Sequence, residues 1–255
     1  MVSWYALIAM TALLWLSGAV DARSPGDPVK LEWEEGDVGG MTTVYGPDGI
    51  EPIGFVEYHQ TRRGTQLTAL RVTRFRDGSS DEDSAEARVG DRLEAVGGRS
   101  IVRDRDGELL VDMTIDVTAG RIVGRWGRGS DVQTSEQRAD LPPGTYWGPL
   151  IFIVLRNFDA NAERGRLVFR TVAPTPRPMV LDLEFTRHEA ARLERAGSSL
   201  DAVRFGLSPT VHWMVDPLIR LIAPTSTFWI VPGKPPAMAR FSGPRNYARQ
   251  EIVIQ

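Results

Sequence analysis

Short glycine-bearing turns recur along the first half of the chain, each set between runs rich in β-forming residues, and this restricts the fold more than any other feature. Gly46-Pro47-Asp48-Gly49 separates residues 42–45 from 53–59, Arg63-Gly64 separates that run from 66–75, and Asp77-Gly78 ends it. Asp106-Gly107 lies between residues 100–102 and 109–117, and Ala119-Gly120 between that run and 122–126. Asp and Gly tolerate the positive φ of tight hairpin turns, so turns of this kind in series predict an antiparallel meander rather than alternating βαβ units. Leu109, Val111, Met113 and Ile115 alternate with Asp112, Thr114 and Asp116, which gives that strand one packed face and one wet face.

The rhythm breaks in the middle. Leu141-Pro142-Pro143-Gly144 reads as a loop, and after it Trp147, Ile151, Val154, Leu155 and Phe158 fall at helical spacing with Pro149 available for a first turn. The expectation is a short core helix, with a buried strand as its rival because the run is rich in β-branched residues. Residues 167–172 and 179–186 read as strands around a proline-rich link. For residues 187–197 two readings stand: Thr186-Arg187-His188-Glu189 has capping-box form and Gly197 could close a helix, while the same stretch could instead lead a hairpin into residues 202–207. Asp216-Pro217 offers an N-cap and first-turn proline for a helix over 218–223. Residues 228–231, 239–241 and 251–255 read as further strands.

Glu194-Arg195-Ala196-Gly197, Leu200 to Phe205, Thr227-Phe228-Trp229-Ile230-Val231-Pro232 and Pro236-Ala237-Met238-Ala239-Arg240 together resemble an uncharacterised family of exported bacterial proteins. In that family a glycine-led strand is followed by an aromatic strand and a proline. The resemblance covers about the last quarter of the chain. It implies a strongly curved antiparallel sheet wrapped around one or two helices, similar to the half-barrel of periplasmic lipoprotein carriers; it carries no functional residue across, and for residues 187–197 it favours strands.

The first 22 residues set the expected destination. An apolar run from Trp4 to Leu16 is followed by small residues, with Val20 and Ala22 at the −3 and −1 positions of a signal-peptide cleavage site, although the n-region has no Lys or Arg. The rival, an uncleaved anchor, needs about 20 apolar residues to cross a bilayer, more than this run offers. The expected organisation is a signal peptide at 1–22, a polar linker at 23–29 and a single β-rich domain at 30–255. Removing Met1 to Ala22 takes away one acid, Asp21, and no base, moving the formal charge from -3 to one unit less negative. A balance so near zero gives no broad attraction to nucleic acid or anionic membrane, and membrane contact is expected only through the N-terminal segment if it stays uncleaved. The chain has no cysteine, which excludes disulfides, zinc–thiolate sites, iron–sulfur clusters and thiol nucleophiles. In an exported domain of this size it means that the core alone supplies stability.

Few residues suggest chemistry. Asp77 to Glu86 is the densest oxygen-ligand cluster, but an EF-hand loop needs Gly at its sixth position and Glu at its twelfth, where Glu82 and Arg88 stand; the expectation is a solvated acidic loop. His59, His188 and His212 are scattered. Ser208, His212 and Asp216 are close in sequence but no Gly-x-Ser-x-Gly elbow occurs, and Ser208 precedes a proline as a turn residue would. The glycines and arginines between Gly124 and Gly129 read as a turn after a strand, not a phosphate cradle. No catalytic residue, metal site or cofactor is expected.

Aromatic side chains point further. Trp147, Phe152, Trp213, Phe228 and Trp229 lie in or beside the candidate helices and late strands, where they would fill a closed barrel or line an open one. Residues 243–249 join two strands with a density of hydrogen-bonding groups that suits a ligand mouth. The sequence reads as mainly β: a curved antiparallel sheet, half-barrel or open barrel, with two or three short helices packed in or on its concave face. The expected function is that of an exported, non-enzymatic protein of the periplasm or cell envelope that binds a lipid or other apolar ligand, or an envelope protein. Trp147, Phe152, Trp213, Trp229, Arg245 and Tyr247 are its candidate binding residues. A packed structural or interaction module, and then a hydrolase, are the alternatives.

Overall fold

The computed structural model describes residues 23–173, 178–195, 198–210, 225–245 and 250–255. The expected signal peptide 1–22, the candidate helix 218–223, Trp213 and Tyr247 lie outside the described residues.

The turn-rich first half forms the expected meander. After a two-residue strand β1 (Val29–Lys30) come β2 (Val38–Tyr45), β3 (Pro52–Arg63), β4 (Gln66–Phe75), β5 (Ser80–Val89), β6 (Arg92–Arg103), β7 (Leu109–Asp116), β8 (Arg121–Trp126) and β9 (Gln133–Arg138). A 3-10 turn, Gly129–Asp131, precedes β9. Each strand from β2 onward pairs antiparallel with the next, while β1 pairs with β6. The turn chemistry is specific at Gly78, where φ is 90° and an added Cβ would lie 2.7 Å from the Arg105 carbonyl oxygen.

The second half adds α1 (Leu150–Arg156) and then β10 (Arg166–Ala173), β11 (Met179–Arg195), β12 (Ser198–Thr210), β13 (Ser226–Val231), β14 (Ala237–Pro244) and β15 (Glu251–Ile254). β15 pairs with β2 and so joins both meanders into one sheet, ordered β10-β11-β12-β13-β14-β15-β2-β3-β4-β5-β6-β7-β8-β9. Residues 187–195 are strand, so the hairpin reading prevails over the capping-box helix: Ala190 to Arg195 find partners in β12 from Val203 back to Ser198. Tertiary pairing has overridden local helix propensity there. The expected two or three helices reduce, among the described residues, to α1 and one 3-10 turn: the candidate at 187–197 is taken up by β11 as far as Arg195, and the candidate at 218–223 lies outside the described residues.

Flat, this sheet would hold β10 and β8 about 60 Å apart at the usual strand spacing. Yet side chains from β4 to β8 and from β10 to β13 share one hydrophobic core around α1, so the sheet curls. Its two edges approach without pairing. Gln137 Nε2 on β9 donates to the Pro178 carbonyl at 2.8 Å, and Asp140 lies 3.5 Å from Arg170 on β10. The result is a curved, open antiparallel sheet. The β10 edge is covered by irregular chain: Tyr146 N–H donates to the Arg170 carbonyl and Arg170 N–H to the Pro25 carbonyl, both at 2.8 Å. Residues 23–29 are thereby fastened to the body, and the buried Tyr146 hydroxyl adds a further tie, donating to the Leu93 carbonyl at 2.6 Å and accepting from Val29 N–H at 2.9 Å.

α1 sits in the hollow with Leu150, Ile153, Val154 and Leu155 buried. Around it runs a chain of rings in edge, tilted or stacked contact: Tyr146, Phe169, Phe185, Phe228 and Phe241, with centroids 5.0 to 6.3 Å apart. Phe185 is fully buried at the centre of this chain. Phe185→Ala is expected to cost about 3–5 kcal/mol in chemical denaturation. Phe55→Ala, on the exposed outer face beside Arg74, is expected to cost about 0.5 kcal/mol or less in the same measurement.

Candidate functional site

The hollow is not completely filled. A cavity of about 320 Å³ lies between α1 and the sheet, walled by Trp147, Ile151 and Phe152 on one side and by residues of β10 to β15 on the other, among them Leu183, Leu207 and Phe228. A second cavity of about 470 Å³ opens between β2 and the turn before β14, with Val38, Met41, Pro235 and Met238 at its mouth. Arg71, Phe152 and Ile254 line both, so the Phe152 ring stands between them. It meets Tyr58 edge-on at 6.3 Å and Phe228 at 6.2 Å.

Trp147 is held by two constraints. Its Nε1 donates to the Ser84 carbonyl at 3.3 Å, and its ring occupies the space a side chain at position 98 would need: a Cβ on Gly98 would lie 2.8 Å from the indole. Gly148 follows with φ 50°, turning the chain into α1 where a Cβ would lie 3.0 Å from the Asp83 Cβ. The helix therefore enters the hollow directly over β5.

The first cavity also has a charged wall. In β5 the inward positions are Asp81, Asp83, Ala85, Ala87 and Val89, all buried, while Glu82 and Glu86 face out. The expected solvated acidic loop is thus a strand with two of its acids inside the sheet. The run obeys two-residue alternation into Ala85, Ala87 and Val89, and that period outweighs its acidic composition. Asp83 pairs with Arg71 and accepts from Ser100 Oγ at 2.6 Å. Asp81 takes a bidentate pair from Arg245, at 3.1 Å from Nε and 3.0 Å from Nη2, and the guanidinium stacks 3.6 Å from the Phe75 ring centroid. Burial pushes the Asp81 carboxyl above the ordinary carboxylate range, against the downward pull of Arg245.

A second polar group underlies the other cavity. Glu35 is buried; its Oε2 lies 3.4 Å from Arg156 Nη1 and accepts from Gln60 Nε2 at 3.1 Å, while Oε1 has no hydrogen-bond partner. Tyr58 donates its hydroxyl to Gln60 Oε1 at 2.7 Å, and burial raises its pKa.

Trp147, Phe152 and Arg245 therefore line the first cavity together. Trp229 does not join them. Phe228 and Ile230 take the inward positions of β13, and Trp229 carries the Arg240 guanidinium 5.1 Å from its ring. Trp213 and Tyr247 fall outside the described residues. Sequence reasoning missed Arg71, Asp81 and Asp83; the usable signal was their phase with Leu67, Ala69 and Phe75 on β4 and with Ala85 and Ala87 on β5. Of the candidate triad, Ser208 alternates with the cavity-lining Leu207 and Pro209 and so belongs to the opposite face of β12; His212 and Asp216 lie outside the described residues. No group of three or more His, Cys, Asp or Glu is placed to hold a metal among the described residues.

No family model and no curated protein matches this chain. Among solved structures it is similar to a beta-barrel-like protein of the domain of unknown function DUF1849 from Brucella abortus, with a TM-score of 0.50 and 11% identity over 86% of this chain and 94% of that one. The likeness is one of fold: mainly β, barrel-like and of unknown function.

Asp81 is buried and its partner Arg245 is only 11% exposed, so breaking the pair should cost more than removing it. Asp81→Asn and Arg245→Met are each expected to lower stability by about 3 kcal/mol, because each leaves one buried charge or donor group unpaired. The double variant should lose clearly less than the sum, as a denaturation double-mutant cycle would read out.

Proposed function

We propose that this protein is an exported, non-enzymatic component of the cell envelope that holds a lipid-like or other apolar ligand between α1 and the curved sheet. The observation that carries this reading is the pair of cavities flanking Phe152, about 320 and 470 Å³, walled mainly by apolar side chains. Small-molecule sites run from about 300 to 1,000 Å³ with a few placed polar groups, and Arg71, Asp81, Asp83 and Arg245 are such groups here. The open curved sheet with α1 in its hollow supports the comparison with the half-barrel of periplasmic lipoprotein carriers. Export is supported by the apolar run from Trp4 to Leu16 and the small residues Val20 and Ala22 that follow it.

Protein purified from a lipid-containing lysate is expected to carry bound lipid in native mass spectrometry and to enhance the fluorescence of N-phenylnaphthylamine. Leu183→Trp, which fills the first cavity, should weaken that probe several-fold. Absence of any co-purified lipid together with no probe uptake would overturn the reading. N-terminal sequencing of the exported protein should begin at Arg23; recovery of a chain that still starts at Met1 would overturn the cleavage assignment.

A further inference from the structure

The two cavities differ in the charges they present. The first is lined by carboxylates as well as guanidiniums, since Asp81 and Asp83 share its wall with Arg71 and Arg245. The second has Arg71 and Arg156 and, among the described residues, no acid in its lining. The acids that balance these arginines, Asp83 and Glu35, lie behind them. Both guanidiniums have donors to spare. Arg71 bonds to Asp83 through Nη2 alone, and the contact of Arg156 with Glu35 is a single one at 3.4 Å, long for a hydrogen bond. A guanidinium carries five N–H donors, so the inner end of this cavity offers directed donors beyond those the described residues engage.

The outer end is of opposite character. Val38, Met41 and Met238 are exposed, Met41 by 71%, and they stand at the mouth with Pro235 and Pro236. Large apolar side chains left in water around an opening are the side chains that an apolar chain leaving the cavity would cover. Val56, Leu155, Ile230 and Ile254 continue the apolar wall inward.

Building on the ligand-binding reading above, we propose that the second cavity takes a single-chain amphiphile with a carboxylate head, the head at Arg156 and Arg71 and the chain running out past Ile254 to Met41 and Met238. The spare N–H donors favour a head group that accepts hydrogen bonds, and the charge count favours the least charged anion. With Arg71 and Arg156 already offset by Asp83 and Glu35, a carboxylate adds one negative charge and a phosphate monoester close to two, so the carboxylate gains charge-assisted hydrogen bonds at the lower desolvation cost. Phe152 forms the partition at the inner end, which makes it the residue that limits how far a head group can enter.

The test uses the full mature chain and three dansyl-labelled probes of equal chain length: an undecanoate, an undecanol and an undecyl phosphate. The undecanoate is expected to bind about tenfold more tightly than the alcohol, a factor that one charge-assisted hydrogen bond can supply. The phosphate should bind more weakly than the carboxylate. Glu35→Gln combined with Arg156→Met removes the buried carboxylate together with its half-buried partner and leaves no uncompensated ion from the pair, so it should fold. That double variant should lose most of the preference for undecanoate over undecanol, keeping only what Arg71 supplies. Met41→Glu, at an exposed site, should weaken both probes. Equal binding of acid and alcohol by the unaltered protein, a preference that survives undiminished in the double variant, tighter binding of the phosphate, or indifference to Met41→Glu each overturns the proposal while the ligand-binding reading stands. Failure of every probe to bind overturns that reading as well.

Discussion

α1 has seven residues, too few to hold a helical conformation unaided in water, and its burial in the hollow of the sheet is what every other part of the fold accommodates. The helix gains its stability from apolar contact on nearly all sides. The sheet gains a reason to curl, since strands from both ends of its order can bury their inner faces only by closing around the same few side chains. Trp147 and Gly148 set the entry of the helix over β5, and Asn157 sets its exit: its N–H and Nδ2 donate to the Ile153 carbonyl, while its Oδ1 accepts from Glu32 N–H at 2.7 Å. The N-terminal stretch is tied to the body through Asn157, through Asn161, which accepts from Lys30 N–H and donates to the Lys30 carbonyl, and through Tyr146 and Arg170.

Register breaks in the ladder make such curvature available. Pairing shifts occur between Val44 and Tyr45, Glu86 and Ala87, Val102 and Arg103, Arg187 and Ala190, and Trp229 and Ile230. Bulges bend a strand and increase its twist, and these fall on both meanders. Because the two end strands, β9 and β10, are not paired with each other and among the described residues meet through side-chain and loop contacts, the sheet need not satisfy the register of a closed barrel. Its curvature can follow what it encloses.

Much of this was legible in the chain itself, and the parts that were not failed for identifiable reasons. The turn glycines marked five hairpins, because positive φ is a local demand that tertiary context rarely changes. The helical spacing of Trp147, Ile151, Val154 and Leu155 marked α1. Residues 187–195 were ambiguous because their local propensity and their long-range partner, β12, disagree. Asp81 and Asp83 were misplaced by composition: five acids within ten residues look solvated, yet the alternation that sends Ala85 and Ala87 inward sends those two aspartates with them. Trp229 shows the same error in reverse. Aromatic character suggested the cavity, but one step from Phe228 reverses the face. Arg71 could be placed only by phase, and its partner Asp83 is a neighbour across the sheet that no sequence pattern announces.

The buried charges also explain why the hollow remains open. An apolar void of this size would ordinarily close by small shifts of its walls, since each cubic ångström left empty forfeits dispersion contact. Here part of the wall is made of ion pairs whose geometry is fixed. Arg245 is held by two bonds to Asp81 and by the face of Phe75, and Asp83 is held by Arg71 and Ser100. Collapse onto these groups would strip their remaining solvation without offering new partners, a larger penalty than the dispersion energy recovered. Phe152 then stands between two spaces that packing alone would have eliminated, and the polar wall is what holds them apart from the apolar core.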